Sequence, residues 1–262
     1  MVQGFGRPVL WVQAVVLAVP GIALYVWPLE AAEWWPWPLP ALAARFGGSA
    51  FLGVAGAAAI IALWNEPRGR RPLAVMAVGT LLVPLTGVIS EGVDVSVPGL
   101  VALTILLGSV AVVDVGLLRA SSATGRWGPL SRPYLAYFAV HLALVLPLGL
   151  AMYLLPATMA GYWAWPLSPI NIWLIGGIVL ASAPLSAMAL HDRDWAAVYP
   201  TAASYAVFTT LATIAMFNSF GLYDAERLRT WVFFGLYIVG AIGAAFAFVR
   251  AAQARAATNR GD

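Results

Sequence analysis

The chain repeats itself. Pro20 recurs as Pro147, Pro28 as Pro156, Trp37-Pro38-Leu39 as Trp165-Pro166-Leu167 and Leu63 as Leu190, at an offset of about 127 residues. An offset this steady, held across apolar stretches and the breaks between them, is what a tandem duplication leaves behind. Any fold for the first half must therefore serve the second, and the two must fit together in one molecule.

The repeated material is membrane-spanning. Apolar residues make up 62% of the 262-residue chain and charged residues only 10%, against about 25% charged in a soluble domain. Apolar runs of about 18–25 residues recur along the whole length, each long enough to cross a hydrocarbon core of about 30 Å. Eight spans are expected, near Val9–Trp27, Pro40–Leu63, Pro72–Ser90, Val97–Leu118, Pro133–Leu155, Pro166–Leu190, Ala196–Phe217 and Thr230–Phe248. Proline at or near the first turn marks the start of several. Seven spans would break the duplication. The expected fold is an all-α integral membrane protein, with eight transmembrane helices as two parallel four-helix repeats. The repeats cover about residues 8–119 and 133–250 of a single membrane domain, 1–262. Met1–Pro8 carries only Arg7 and no cleavage pattern, so the first helix is expected to be a retained span.

Arginine sets the orientation, because there is no lysine. With the N-terminus in the cytoplasm, that side holds Arg7, Arg68, Arg70, Arg71, Arg119, Arg126, Arg132, Arg193, Arg250, Arg255 and Arg260. The far side keeps Arg45, Arg227 and Arg229 beside Glu30, Glu33, Glu91, Asp94, Asp224 and Glu226. Eleven arginines against three is a strong positive-inside bias, and it places both termini in the cytoplasm. The net charge of +3 holds loops at a lipid surface; membrane lipid is the expected partner and nucleic acid is not.

Absent residue types remove whole classes of chemistry. Without cysteine there is no thiolate nucleophile, no cysteine–zinc site and no disulfide. Without lysine no Schiff base forms on a lysine. His141 and His191 are too few and too far apart for an H-E-x-x-H site, and no G-x-x-x-x-G-K-[ST] loop is present. No cofactor, no metal and no catalytic activity are expected. Gly47-Gly48-Ser49-Ala50 faintly resembles the Gly-x-Ser of intramembrane serine proteases, with His141 as a conceivable base. The following glycine is absent, however, and small residues have a simpler use in close helix packing.

The most specific local signal is the tryptophan–proline segment, Trp34-Trp35-Pro36-Trp37-Pro38-Leu39-Pro40 in the first copy and Tyr162-Trp163-Ala164-Trp165-Pro166-Leu167-Ser168-Pro169 in the second. Two readings stand beside each other. Indoles favour the headgroup layer, which makes Trp37 and Trp165 depth anchors. Alternatively they form an aromatic platform at the mouth of a ligand site between the halves, flanked in the first copy by Glu30, Glu33 and Arg45.

The second copy, continued through Asn171-Ile172-Trp173-Leu174-Ile175-Gly176-Gly177, resembles a W-P-W-x-L-[TS]-P-[LI] pattern of uncharacterised polytopic membrane proteins of high-GC bacteria. Those relatives commonly carry Arg before a glycine-containing helix start. Here Trp173 stands in that place in the second copy, while the first keeps Arg45 before Phe46-Gly47-Gly48. The resemblance implies a bacterial inner-membrane protein and brings no activity with it.

Two ionisable residues lie within expected spans. Asp114 is roughly 7 Å from the arginine-marked end and His141 roughly 12 Å in from Pro133, at 1.5 Å per residue. Their helices are consecutive, so an Asp114–His141 pair is geometrically open. Intramembrane charges cost about 2.5–3.5 kcal/mol on insertion scales and often mark ion paths. Against that, Ile242 and Ala14 stand at the equivalent positions of the other half, and a shallow Asp114 can draw water. Pro20 and Pro147 kink equivalent helices, which is common where parallel repeats enclose a cavity.

Two functions survive. One is a protein that binds or carries an apolar or amphipathic small molecule or lipid, with Asp114, His141, Trp37, Trp165, Asn171 and Arg45 as candidate ligand-binding residues. The other is a structural or accessory subunit docking another membrane protein. A carrier should have a polar-lined interior containing Asn171, Asp114 or His141; an accessory subunit should be dry and packed with Ala and Gly.

Overall fold

The computed structural model describes residues 6–80, 82, 85, 95–119 and 127–261, with side chains described only through Val112 in the 95–119 stretch. The described residues are helical and contain no β-strand. In chain order the helices are α1 (Gly6–Val26), α2 (Pro28–Ala32), α3 (Ala41–Trp64), α4 (Arg70–Thr80), α5 (Val97–Arg119), α6 (Arg132–Leu154), α7 (Pro156–Tyr162), α8 (Pro169–Asp192), α9 (Trp195–Asn218) and α10 (Leu228–Gly261). Six of them, α1, α3, α6, α8, α9 and α10, are long and apolar enough to cross a membrane. Of the other two expected spans, α5 follows the Val97–Leu118 expectation, and α4 covers the inner part of Pro72–Ser90. Most of the remainder of that span, including Pro84, lies outside the described residues.

Helix ends follow the local chemistry. Proline occupies the first or second position of α2, α6, α7 and α8, where its missing N–H is no loss. Both α3 and α8 stop on a left-handed residue, Asn65 and Arg193, each at φ 51°, a frequent way to close the last helical turn. Asp194 then caps α9 by accepting from the Ala196 backbone N–H at 2.9 Å.

Some elements and contacts recur along the chain at a spacing of about 128 residues. The helices α3 and α8 are both 24 residues long and begin 128 positions apart, at Ala41 and Pro169. Within each half the first long helix lies along the second, α1 on α3 and α6 on α8. Across the molecule α3 crosses α9, and α8 crosses α4. A β-carbon built on Gly48 would stand 2.7 Å from the Gly21 carbonyl oxygen and 2.9 Å from the Tyr25 nitrogen. One on Gly176, 128 positions later, would stand 2.7 Å from the Met152 β-carbon, beside Tyr153. At the crossings, a β-carbon on Gly53 would be 2.8 Å from the Ser204 carbonyl, and one on Gly79 would be 2.5 Å from the Ala181 β-carbon. Apolar side chains gain little from leaving lipid for protein, so close backbone approach of this kind is what holds such helices together.

Two tyrosines tie the crossings. Tyr25 on α1 donates its hydroxyl to the Leu211 carbonyl on α9 at 2.9 Å, and Tyr153 on α6 donates to the Leu82 carbonyl at 2.9 Å. Each therefore reaches from the first helix of one half to the third helical segment of the other.

Candidate functional site

The helices α4 and α6 both lean on α8. Between them lies a cleft of about 740 Å³, within the roughly 300–1,000 Å³ range of small-molecule sites. Its walls carry Val75, Val78 and Leu82 from the α4 side, Leu142 and Leu146 from α6, and Leu180, Ala181 and Pro184 from α8. Leu180 and Ala181 are the central residues of the 24-residue α8, so the cleft sits at mid-depth of the spans. The space follows from the small residues: Gly79 and Ala181 draw α4 onto α8, while Ala74, Ala183 and Ala187 leave volume beside them. Among the described residues, none lining the cleft carries a hydroxyl, amide or charge. Pro184 has no N–H for the Leu180 carbonyl one turn earlier. The cleft offers dispersion contact to an apolar chain.

Behind this wall His141 Nδ1 and Ser186 Oγ are 2.8 Å apart, hydrogen-bonded in a direction set by the tautomer. The imidazole stacks on Tyr137 at 6.1 Å and lies 5.2 Å from Tyr205. Leu142 and Ala187, the chain neighbours of His141 and Ser186, line the cleft. The Asp114 side chain lies outside the described residues. Ser49 is fully buried and donates to the Arg45 carbonyl of its own helix at 2.7 Å, remote from the His141–Ser186 pair in bonding.

The tryptophan–proline segments turn inward. Trp37 is 2% exposed and Trp165 3%, so both indoles are packed against the rest of the chain. The reason is the company they keep. Trp165 packs on Phe46, Trp163, Tyr223 and Phe233 with ring centres 5.1–5.5 Å away. Trp37 stands edge-on to Trp35 at 5.3 Å in a separate apolar cluster. The two tryptophans therefore do not form one platform. The indole N–H groups of Trp163 and Trp165 have no acceptor within reach, and burial pushes the nearby Tyr223 hydroxyl well above its ordinary pKa. Asn171 joins the halves locally: its amide donates to the Pro38 carbonyl at 3.1 Å and to Ser168 Oγ at 2.7 Å. Arg45 donates to Ser219 Oγ at 3.4 Å.

The opposite end holds a polar–aromatic lock that the sequence alone does not reveal. Arg68 pairs with Glu66 at 3.0 Å and Asp194 at 3.4 Å, and its guanidinium lies over the Trp127 ring. Trp127, Tyr199 and Trp64 form a mutual cluster with centres 4.9–5.6 Å apart, stacked further on Phe248. The linker between the halves is held here, since Leu130 N–H donates to the Arg193 carbonyl and Trp195 N–H to that of Gly128. Among the described residues no three histidine or acidic side chains gather as a metal site would require.

No family model, curated protein or solved structure matches the chain.

Proposed function

We propose that this chain is a multi-pass bacterial inner-membrane protein that binds an apolar or amphipathic membrane molecule, such as a lipid chain, in the cleft between α4, α6 and α8. The observation that carries the reading is the cleft itself, about 740 Å³ with walls of Ala, Val, Leu, Gly and Pro at mid-depth. A site lined this way selects for a chain and leaves polar solutes unsolvated. The polar-lined interior expected of a carrier finds no support among the described residues, where Asn171 is engaged with Pro38 and Ser168 and His141 with Ser186; the reading rests on the apolar cleft alone. Binding without chemistry is the role we assign.

The architecture we propose is eight spans in two parallel four-helix repeats, both termini cytoplasmic. The paired crossings α3–α9 and α8–α4, the paired tyrosine bonds and the 128-residue spacing of α3 and α8 support it. Each repeat lends its second helix to the third of its partner.

The test fills the cleft. Val78→Trp and Ala187→Trp add bulk at exposed positions lining it, and Val239→Trp adds the same bulk at an exposed position of α10 away from it. Native mass spectrometry of protein released gently from its membrane should find a lipid-sized adduct on the wild type and on Val239→Trp. The cleft variants should retain it at least about tenfold less, a loss of roughly 1.4 kcal/mol. Equal retention in all four proteins would contradict the reading, and a stoichiometric protein partner in its place would make this an accessory subunit.

A further inference from the structure

We infer that Trp34 and Tyr162, the equivalent first residues of the two tryptophan–proline segments, form the molecule's contact with the lipid headgroups of the non-cytoplasmic leaflet. The geometry starts from the spans. The helices α1 and α6 are 21 and 23 residues long. Each rises about 30–35 Å at 1.5 Å per residue, enough to cross a hydrocarbon core of about 30 Å. The segments between α1 and α3 and between α6 and α8 therefore emerge at the membrane surface, and both rings stand in them. Trp34 is 86% exposed and Tyr162 71%, while Trp37 and Trp165, three positions on, are packed inward. Each copy of the segment turns the same ring out, 128 positions apart.

The surroundings identify the partner. In the first copy exposed Leu29 is followed along the chain by the exposed carboxylates of Glu30 and Glu33, and then by Trp34. In the second, Leu154 and Leu155 are exposed where α6 ends, and Arg229 donates to the carbonyl of Gly161, next to Tyr162, at 3.2 Å. A surface that passes from bare leucine to charge within a few residues suits a hydrocarbon–water boundary, whereas a protein-docking face is a contiguous apolar patch. Tryptophan and tyrosine join an apolar ring to a polar edge, and they are the two types enriched where membranes meet water. The inference rests on the proposed parallel repeats, which put both segments on one face. It is independent of the cleft, whose lining includes neither residue.

The experiment uses single cysteines in a chain that has none of its own. Trp34→Cys, Tyr162→Cys, Val239→Cys and Glu226→Cys all fall at exposed positions, so a nitroxide attached there displaces no packing. Each labelled protein is returned to vesicles of phosphatidylethanolamine and phosphatidylglycerol. Oxygen, which dissolves in hydrocarbon, and a nickel chelate, which stays in water, together read the depth of each label. The labels at 34 and 162 should lie within about one helical turn, 5.4 Å, of the same depth. That depth should fall between the Val239 position in the core and the Glu226 position in water. A depth matching either control, or two depths further apart than one turn, would overturn the inference. So would protection from both relaxants, which would put a protein surface over the rings. A membrane-impermeant maleimide separates this failure from that of the architecture. Reaction of positions 34 and 162 from opposite sides would refute the parallel repeats, and reaction from one side at the wrong depth would refute the headgroup contact alone.

Discussion

At the scale of single residues, the close contacts make sharper demands than the apolar composition does. Gly47 and Gly48 are neighbours in one helix, yet a β-carbon on Gly47 meets nothing within 4 Å while one on Gly48 meets the backbone of α1 at 2.7 Å. Gly48→Ala should therefore destabilise by about 1–3 kcal/mol through overpacking. Gly47→Ala should stay within about 0.5 kcal/mol of wild type. Reversible unfolding in mixed micelles measures both, and equal losses would show that α1 and α3 do not approach as described. Tyr25→Phe and Tyr153→Phe each remove one hydrogen bond between the halves. Such bonds average about 0.6 kcal/mol in membrane proteins, and the same assay should give two similar, small losses.

At the scale of elements, much was legible. The expected spans Val9–Trp27, Pro40–Leu63, Val97–Leu118, Pro133–Leu155, Pro166–Leu190 and Ala196–Phe217 fall within a few residues of α1, α3, α5, α6, α8 and α9, because apolar runs and proline starts are local signals. The helix α10 runs on to Gly261, well past the end of the expected span at Phe248. Its continuation is polar and alanine-rich, so hydropathy marks where it leaves the membrane and not where the helix stops. The tryptophan–proline segments were found as a motif, but their burial was not legible. Phe46, Phe233 and Tyr223 converge on Trp165 from other parts of the chain. Tyr25 and Tyr153 are 128 positions apart in the sequence, so their equivalence was readable from the duplication alone; their bonding to the opposite half was not. The Arg68–Glu66–Asp194 cluster was hidden for the same reason, being assembled across 126 positions of chain. Asp194 is its pivot, accepting from Ala196 N–H and Arg68 and lying 3.4 Å from Trp127 N. Asp194→Ala should cost about 2 kcal/mol, at the upper end for a lost helix cap, and Asp194→Asn distinctly less because the cap oxygen remains. Thermal melts of the two side by side give the comparison; identical losses would assign the effect to charge and not to capping.

At the scale of the whole molecule, the proposed architecture is two halves that interlock reciprocally. The second helix of each half crosses the third of the other, and the cleft lies beside one of these crossings, where α4 meets α8. The proposed topology, with eight spans and arginine-rich loops inside, requires a reporter fused after Asp262 to report from the cytoplasm; a periplasmic signal would refute it. The most direct measurement uses the absence of native cysteine. The pairs Gly53→Cys with Ser204→Cys and Gly79→Cys with Ala181→Cys, one pair per variant, place a thiol on each side of the two crossings. Mild oxidation in native membranes should close an intramolecular disulfide in both variants to similar extent, while the mismatched pair Gly53→Cys with Ala181→Cys stays open. Closure of only one matched pair, or bonds formed only between separate chains, would contradict the reciprocal arrangement and the cleft that depends on it.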